Sequence, residues 1–163
     1  MKIAALLLAA ILPQFGAATA AAQVSPEAVA PGRTYVVDDA GSIVLDPYLE
    51  MQAEPVGRSV PGTIVSGSTR VSVQLNLAAW RGRAGRIYMT LPRTAGPTVR
   101  ASWTTGGTML PGTLLSGERA LVLAGPIAAP VVRDIIDIRL EVDGSRLLAP
   151  EALAFGFEIE VEP

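Results

Sequence analysis

Cysteine and histidine occur nowhere in the 163 residues of this sequence. Without histidine the chain lacks the commonest general base and the commonest metal ligand. Serine–histidine–aspartate catalysis, cysteine–histidine catalysis and zinc sites built from these two residue types are therefore excluded. Without cysteine there are no disulfide bonds, so the packed core or a partner must hold the protein together. We expect no enzymatic activity and no cofactor or metal ion.

Lysine is nearly absent, since Lys2 is the only lysine among thirteen basic residues, and the net charge is −2. Domains that bind nucleic acid usually carry a basic face, so this balance argues against a nucleic-acid partner. The acids Asp134 and Asp137 lack the spacing of a calcium-binding loop, and we expect them to serve in turns and on strand faces.

The N-terminus has the pattern of a secretory signal peptide. Lys2 supplies a positive charge, residues 3–12 are apolar, and small residues follow up to Ala22. The apolar run is too short to span a bilayer, which requires about 20 residues. We predict that residues 1–22 are a signal peptide, with cleavage before Gln23. The protein would be exported to the periplasm and then to the cell surface or the medium, with no membrane span after cleavage.

After the predicted cleavage site, the chain divides into an arm and one domain. Residues 23–33 carry two prolines and little periodicity, so we predict an extended N-terminal arm. Residues 34–163 have a length that suits a single domain with its own core. The sequence contains 13 prolines and 16 glycines, which disfavour long helices throughout this region.

Alternating apolar and polar residues predict strands in the domain. The clearest runs are 70–77, 86–91, 99–104 and 135–142, and turn residues separate them. Asp143-Gly144 predicts a tight hairpin that joins the last two strands. The spacing indicates an all-β fold of seven to nine short antiparallel strands, most simply an immunoglobulin-like β-sandwich. A small β-barrel is the alternative.

The final strand, residues 153–161, has an unusually regular apolar row and ends two residues before the C-terminus. Such a row fills the core of a sandwich. A strand with a free edge also pairs with a strand from a partner protein. The candidate partner-strand residues are Leu153, Phe155, Phe157, Ile159 and Val161.

In this layout of signal peptide, arm, β-sandwich and alternating final strand, the chain resembles a chaperone–usher pilus subunit. The resemblance implies an incomplete sandwich that a periplasmic chaperone first completes by pairing with the last strand. An usher and other subunits would be the further partners, because the arm of the next subunit replaces the chaperone. Many such subunits contain a disulfide, so this chain would belong to a cysteine-free branch. The implied donor-arm residues are Val24, Ala28, Ala30, Tyr35 and Val37.

A stand-alone binding module, in the periplasm or secreted, is the alternative function. Trp80 precedes a glycine-rich loop that carries Arg81, Arg83 and Arg86. A partly exposed tryptophan stacks on sugar rings, and guanidinium groups bind carboxylate, sulfate or phosphate. The loop would then hold a glycan or another acidic ligand. Otherwise Trp80 packs in the core, and the arginines lie in a solvated loop or pair with Glu158, Glu160 and Glu162. Trp103, which is in phase with Val99 and Ala101, is expected in the core.

Overall fold

The fold is all-β. The computed structural model describes residues 32–46, 52–54, 64–93, 96–143 and 154–162. Two antiparallel sheets pack face to face as a β-sandwich, and the one short 3-10 turn described is Ala78–Trp80. This confirms the predicted sandwich over the barrel. No helix in the described ranges is long and apolar enough to cross a membrane.

The four-stranded sheet, here sheet A, has the strand order β1-β10-β5-β8. The second sheet, sheet B, has the order β2-β4-β9-β6-β7, and β3 also pairs with β4. The strands in chain order are β1 (Thr34–Val36), β2 (Ile43–Val44), β3 (Gln52–Glu54), β4 (Ile64–Asn76), β5 (Ala84–Thr90), β6 (Val99–Thr105), β7 (Gly112–Leu115), β8 (Arg119–Pro126), β9 (Val131–Asp143) and β10 (Gly156–Val161).

The centre of sheet B is the antiparallel pair β4–β9, which stays in register over 13 residues. The alternation in residues 70–77 predicts the second half of β4 correctly, whereas the prolines and glycines of residues 51–68 predict a loop with one short strand at most, and β3 and the first half of β4 lie there. That first half contains Ser66, Gly67 and Ser68, which have little intrinsic preference for strands. Pairing with β9 on one side and with β3 on the other supplies the hydrogen bonds that propensity does not.

The core lies between the sheets and is formed by the apolar rows that alternation predicts. Ile136, Ile138, Leu140 and Val142 of β9 all face inward. Trp103 is in the core as expected, and its indole N–H donates to the carbonyl of Leu110 at 2.9 Å. Further buried residues from both sheets are Val73, Leu75, Ile87, Met89, Val122, Phe157, Ile159 and Val161.

The predicted hairpin at Asp143-Gly144 is wrong. β9 belongs to sheet B, whereas β10 lies in sheet A between β1 and β5. Residues 144–153, between these strands, are outside the described ranges. A turn-forming dipeptide between two alternating runs does not specify that the runs pair, because each apolar row can complete either sheet.

Candidate functional site

The first described residues, 32–46, form one continuous segment that we call the crossing segment. Its first half, β1, lies antiparallel to the final strand β10, with Thr34 opposite Glu160 and Val36 opposite Glu158. The pairing extends beyond β1 at one end, where the Val37 N–H donates to the Phe157 carbonyl at 2.8 Å. The beginning of the crossing segment therefore forms an edge of sheet A.

One residue later the same segment joins the other sheet. The Asp38 carbonyl accepts a hydrogen bond from the Asn76 N–H of β4 at 2.9 Å. The chain then turns at residues 39–41, as the sequence predicts, and β2 runs along β4 with Ile43 opposite Ser72. The Leu45 N–H continues the pairing with the Arg70 carbonyl at 2.8 Å. The crossing segment thus pairs with β10 in sheet A and with β4 in sheet B.

Few side chains of the crossing segment enter the core. Val37 is only 2% exposed, and the ring of the half-buried Tyr35 lies 6.2 Å from that of Trp80. Val36, by contrast, is 76% exposed, and Ile43 and Val44 are also exposed. The segment is therefore held mainly by backbone hydrogen bonds, by the buried Val37, and by polar contacts such as the bond from the Gln74 N–H to the Ser42 hydroxyl at 2.9 Å.

Among the residues that the structure describes, no hydrogen bond reaches the outer edges of β1 and β2. In an antiparallel ladder alternate residues turn their N–H and C=O groups to the neighbouring strand. Because Val37 and Leu45 bond inward, Val36 and Val44 direct theirs away from the sheets. Both strands are short, but neither contains a proline or a charged residue, which are two of the usual protections of an edge. We call this the open side of the sandwich.

The opposite side, formed by β7 and β8, has such protections. The β5–β8 ladder shifts register between Ile87 and Tyr88, and β8 ends at Pro126. The Leu110 N–H donates to the Val122 carbonyl of β8 at 2.7 Å. On β7 the Leu115 N–H donates to the carboxylate of Glu118 at 3.0 Å. These contacts occupy part of the hydrogen-bonding edge on this side of the sandwich.

The final strand is not an edge strand, contrary to the expectation of a free edge. β10 is flanked by β5 and, along residues 157–161, by the crossing segment of its own chain. Phe157, Ile159 and Val161 point into the core, Phe155 is partly buried, and Leu153 is outside the described residues. Pairing of β10 with a partner strand stays a prediction, and it requires that β1 leave.

Of the five predicted donor-arm residues, three are outside the described ranges and two lie beside β10. Val24, Ala28 and Ala30 are outside the described residues. Tyr35 and Val37 both turn toward the core and stand beside β10 of the same chain. Ile43 and Val44 were not among the predicted site residues. Two β-branched residues directly after a turn are a sequence pattern that could have indicated this edge strand, and both side chains are exposed.

The predicted ligand loop does not form a site around Trp80. Trp80 is 3% exposed, so of the two roles that the sequence leaves open for it, packing in the core is correct and partial exposure on a rim is wrong. Its indole packs beneath Tyr35, and its Nε1 has no hydrogen-bond partner among the described residues. Arg86 forms an ion pair with Glu162 at 3.2 Å, whereas Arg81 is exposed and Arg83 is half-buried. The stacking residue of the alternative function is therefore inaccessible.

Asp39, at the turn of the crossing segment, gives a prediction about pH. Partial burial raises the pKa of its carboxyl above the ordinary 3.8, and the charge of Asp38 adds to this against an opposing backbone hydrogen bond. The stabilisation linked to this raised pKa is fully present below pH 3.8. It is lost as the pH rises through the higher pKa that the carboxyl has in the folded protein. We expect Asp39→Asn to raise the Tm at pH 7 and to change it little near about pH 3. An equal shift at both pH values in thermal unfolding would contradict this.

Comparison with known proteins gives little. No family model matches the chain, and no curated protein matches it. One solved structure with some similarity is described as a carbohydrate-binding module of the β-sandwich superfamily with promiscuous specificity. The identity is 8% and the TM-score 0.20, over 86% of this chain and 60% of that one. A likeness at this level bears on neither function nor ligand.

Proposed function

We propose that this chain is an exported structural subunit that assembles by strand complementation into a surface fibre or pilus, in adhesion or biofilm formation. The observation that carries the proposal is the crossing segment. It covers an edge of both sheets, yet Val37 is its only described side chain that is fully buried. Such an element is exchangeable, because an identical segment from another copy restores every contact that the chain's own segment makes.

In the assembly, residues 32–46 of one copy would lie along β10 and β4 of the next. The hydrogen bonds from Val37 to Phe157 and from Asn76 to Asp38 would then join two molecules. A head-to-tail exchange of this kind continues as a fibre when the rotation between successive copies does not close into a ring. The predicted donor arm, residues 23–33, overlaps the first two residues of this segment and would be drawn along with it.

The proposal also provides a role for a periplasmic chaperone. When the crossing segment is displaced, the edges of β10 and β4 lose their partners, and unpaired edges promote aggregation. A chaperone that lends a strand to β10 would protect the subunit until an usher brings the next copy. The predicted signal peptide would deliver the chain to the compartment in which these partners act.

The absence of cysteine makes a cross-linking test clean. Thr34 and Glu160 face each other across β1 and β10 as a pair without mutual hydrogen bonds, in which Cα atoms lie about 4.5 Å apart. That separation permits a disulfide. We expect Thr34→Cys and Glu160→Cys, placed in separate copies and exported together, to form covalent dimers between the two variants. The double variant should form a ladder on a non-reducing gel.

The matched control pairs Thr34→Cys with Thr104→Cys, an exposed residue on the outer face of sheet B. This pair should yield no more dimer than either single variant alone. The proposal is wrong if the double variant forms only an internal disulfide and the mixed copies form none. Thr34 would then remain beside Glu160 of its own chain in every molecule.

A further inference from the structure

A second feature of the surface lies on sheet A and extends from β8 across to β10. It is an open groove of about 480 Å³. Pockets that hold small molecules typically measure about 300–1,000 Å³, so the groove has room for one. Charged and polar residues are prominent in its lining, which includes Thr90, Arg93, Gly117, Glu118, Arg119 and Glu158.

Backbone hydrogen bonds fix the floor of the groove. The Gly117 N–H donates to the Leu91 carbonyl at 2.7 Å, and the Leu91 N–H donates to the Glu118 carbonyl at 3.3 Å. Gly117 has a φ of 89°, which favours glycine. A Cβ atom there would lie 3.2 Å from Nε of Arg93. The turn between β7 and β8 thus holds the Arg93 guanidinium directly against its backbone.

Two guanidinium groups that line this groove have N–H groups without a good hydrogen bond among the described residues. No hydrogen bond or ion pair joins the side chain of Arg93 to another residue in the described ranges. Arg119 lies over the ring of Tyr88 at 4.3 Å. Its nitrogens are 4.0 Å from the carboxylate of Glu158 and 3.7 Å from that of Glu160, which is too far for good hydrogen bonds. A planar acceptor that entered the groove would find N–H groups of both arginines.

We propose that this groove binds a sugar acid, a monosaccharide unit that carries a carboxylate. The guanidinium of Arg93 would bind the carboxylate through two parallel hydrogen bonds, with Arg119 beside it. Glu118 and Glu158 would accept hydrogen bonds from the sugar hydroxyls, and the Thr90 hydroxyl would either donate or accept. These same two carboxylates repel a doubly charged phosphate, which makes a singly charged ligand with several hydroxyls the better fit.

The inference is independent of fibre assembly. The groove reaches from the β8 edge of sheet A to Glu158 of β10, which lies opposite Val36 of the crossing segment, but Arg93 itself belongs to neither β10 nor the crossing segment. Substitution of Arg93 leaves the contacts of residues 32–46 unchanged. Loss of sugar binding and loss of assembly are therefore separately measurable.

The test is a titration of the ¹⁵N-labelled protein with galacturonic acid, followed by two-dimensional NMR. We expect saturable shifts of the amides of Leu91, Gly117, Glu118 and Arg119. Galactose, which lacks the carboxylate, and inorganic phosphate should bind at least about tenfold more weakly. Arg93→Gln should weaken the binding of galacturonic acid by about tenfold or more.

The matched control is Arg81→Gln, another exposed arginine in a loop outside the groove, which should leave binding unchanged. The proposal fails if these amides show no saturable shift. It also fails if galactose or phosphate binds as well as galacturonic acid, or if Arg93→Gln binds as the unchanged protein does.

Discussion

Replacement of Val37 by asparagine is expected to lower the free energy of unfolding by about 3 kcal/mol. Val37 is 2% exposed, at the point where the chain passes from sheet A to sheet B. The side-chain amide of asparagine would be buried there without hydrogen-bond partners. Because residues on either side of it cover β10 and β4, the substitution loosens the edges of both sheets at once. Urea unfolding followed by tryptophan fluorescence gives the measurement.

Val36→Asn is the matched control. Val36 precedes Val37 directly but is 76% exposed and points away from the core. The same chemical change should cost less than about 1 kcal/mol here, through the weaker preference of asparagine for a strand. Equal losses at the two positions would mean that Val37 is not a buried anchor of the segment.

The Val37→Asn variant also allows a test of whether the crossing segment can be replaced by another copy of itself or is an ordinary edge strand. A synthetic peptide of residues 32–46 with the native sequence should restore the free energy of unfolding, because the displaced segment leaves its place free. A peptide of the same residues that itself carries Val37→Asn should restore less. If the native peptide has no effect at concentrations well above that of the protein, the segment is not exchangeable and the fibre proposal loses its basis.

Replacement of Asp134 by alanine is expected to cost about 2–3 kcal/mol. The carboxylate is 6% exposed and points between the sheets from β9. It accepts hydrogen bonds from the N–H of Met109 at 2.8 Å and from the N–H of Ile135 at 2.7 Å. Alanine leaves the Met109 N–H buried with no acceptor, so the turn before β7 loosens. Thermal or urea unfolding measures the loss.

The same turn carries Leu110, whose N–H bonds to the β8 edge. The Asp134→Ala variant should therefore also expose amides of β8 to hydrogen exchange, in contrast to those of the central β9. Protection of β8 that matches the native protein would show that the Asp134 contacts do not hold this edge.

Asp137→Ala is the control for this change, on the same strand but on its outer face. Asp137 pairs with Arg70 at 2.6 Å, and both side chains are more than half exposed. Hydrogen bonding with Asp137 raises the pKa of Arg70 above its ordinary value. An exposed pair of this kind contributes little to stability, so Asp137→Ala should leave the unfolding curve nearly unchanged.

The sequence by itself determined the class of the fold and the inner and outer faces of its long strands. The alternation in residues 135–142 predicted which side of β9 is buried, and the row at 157, 159 and 161 did the same for β10. The period of a strand is a local property, set by successive side chains that point to opposite faces. For this reason Trp103, in phase with its apolar neighbours, was also correctly placed in the core.

Only the tertiary structure decided which strands are neighbours and which polar residues are buried. Nothing local in β10 specifies that β1 covers it, because backbone hydrogen bonds are the same for every sequence. Alternation places Asp134 in phase with Ile136 and Asp137 on the opposite face, but only the fold shows that a distant turn encloses the Asp134 carboxylate and donates a hydrogen bond to it. Trp80 is buried because Tyr35, 45 residues earlier, crosses over it. Such facts depend on contacts between remote segments, and the folded sandwich alone brings those segments together.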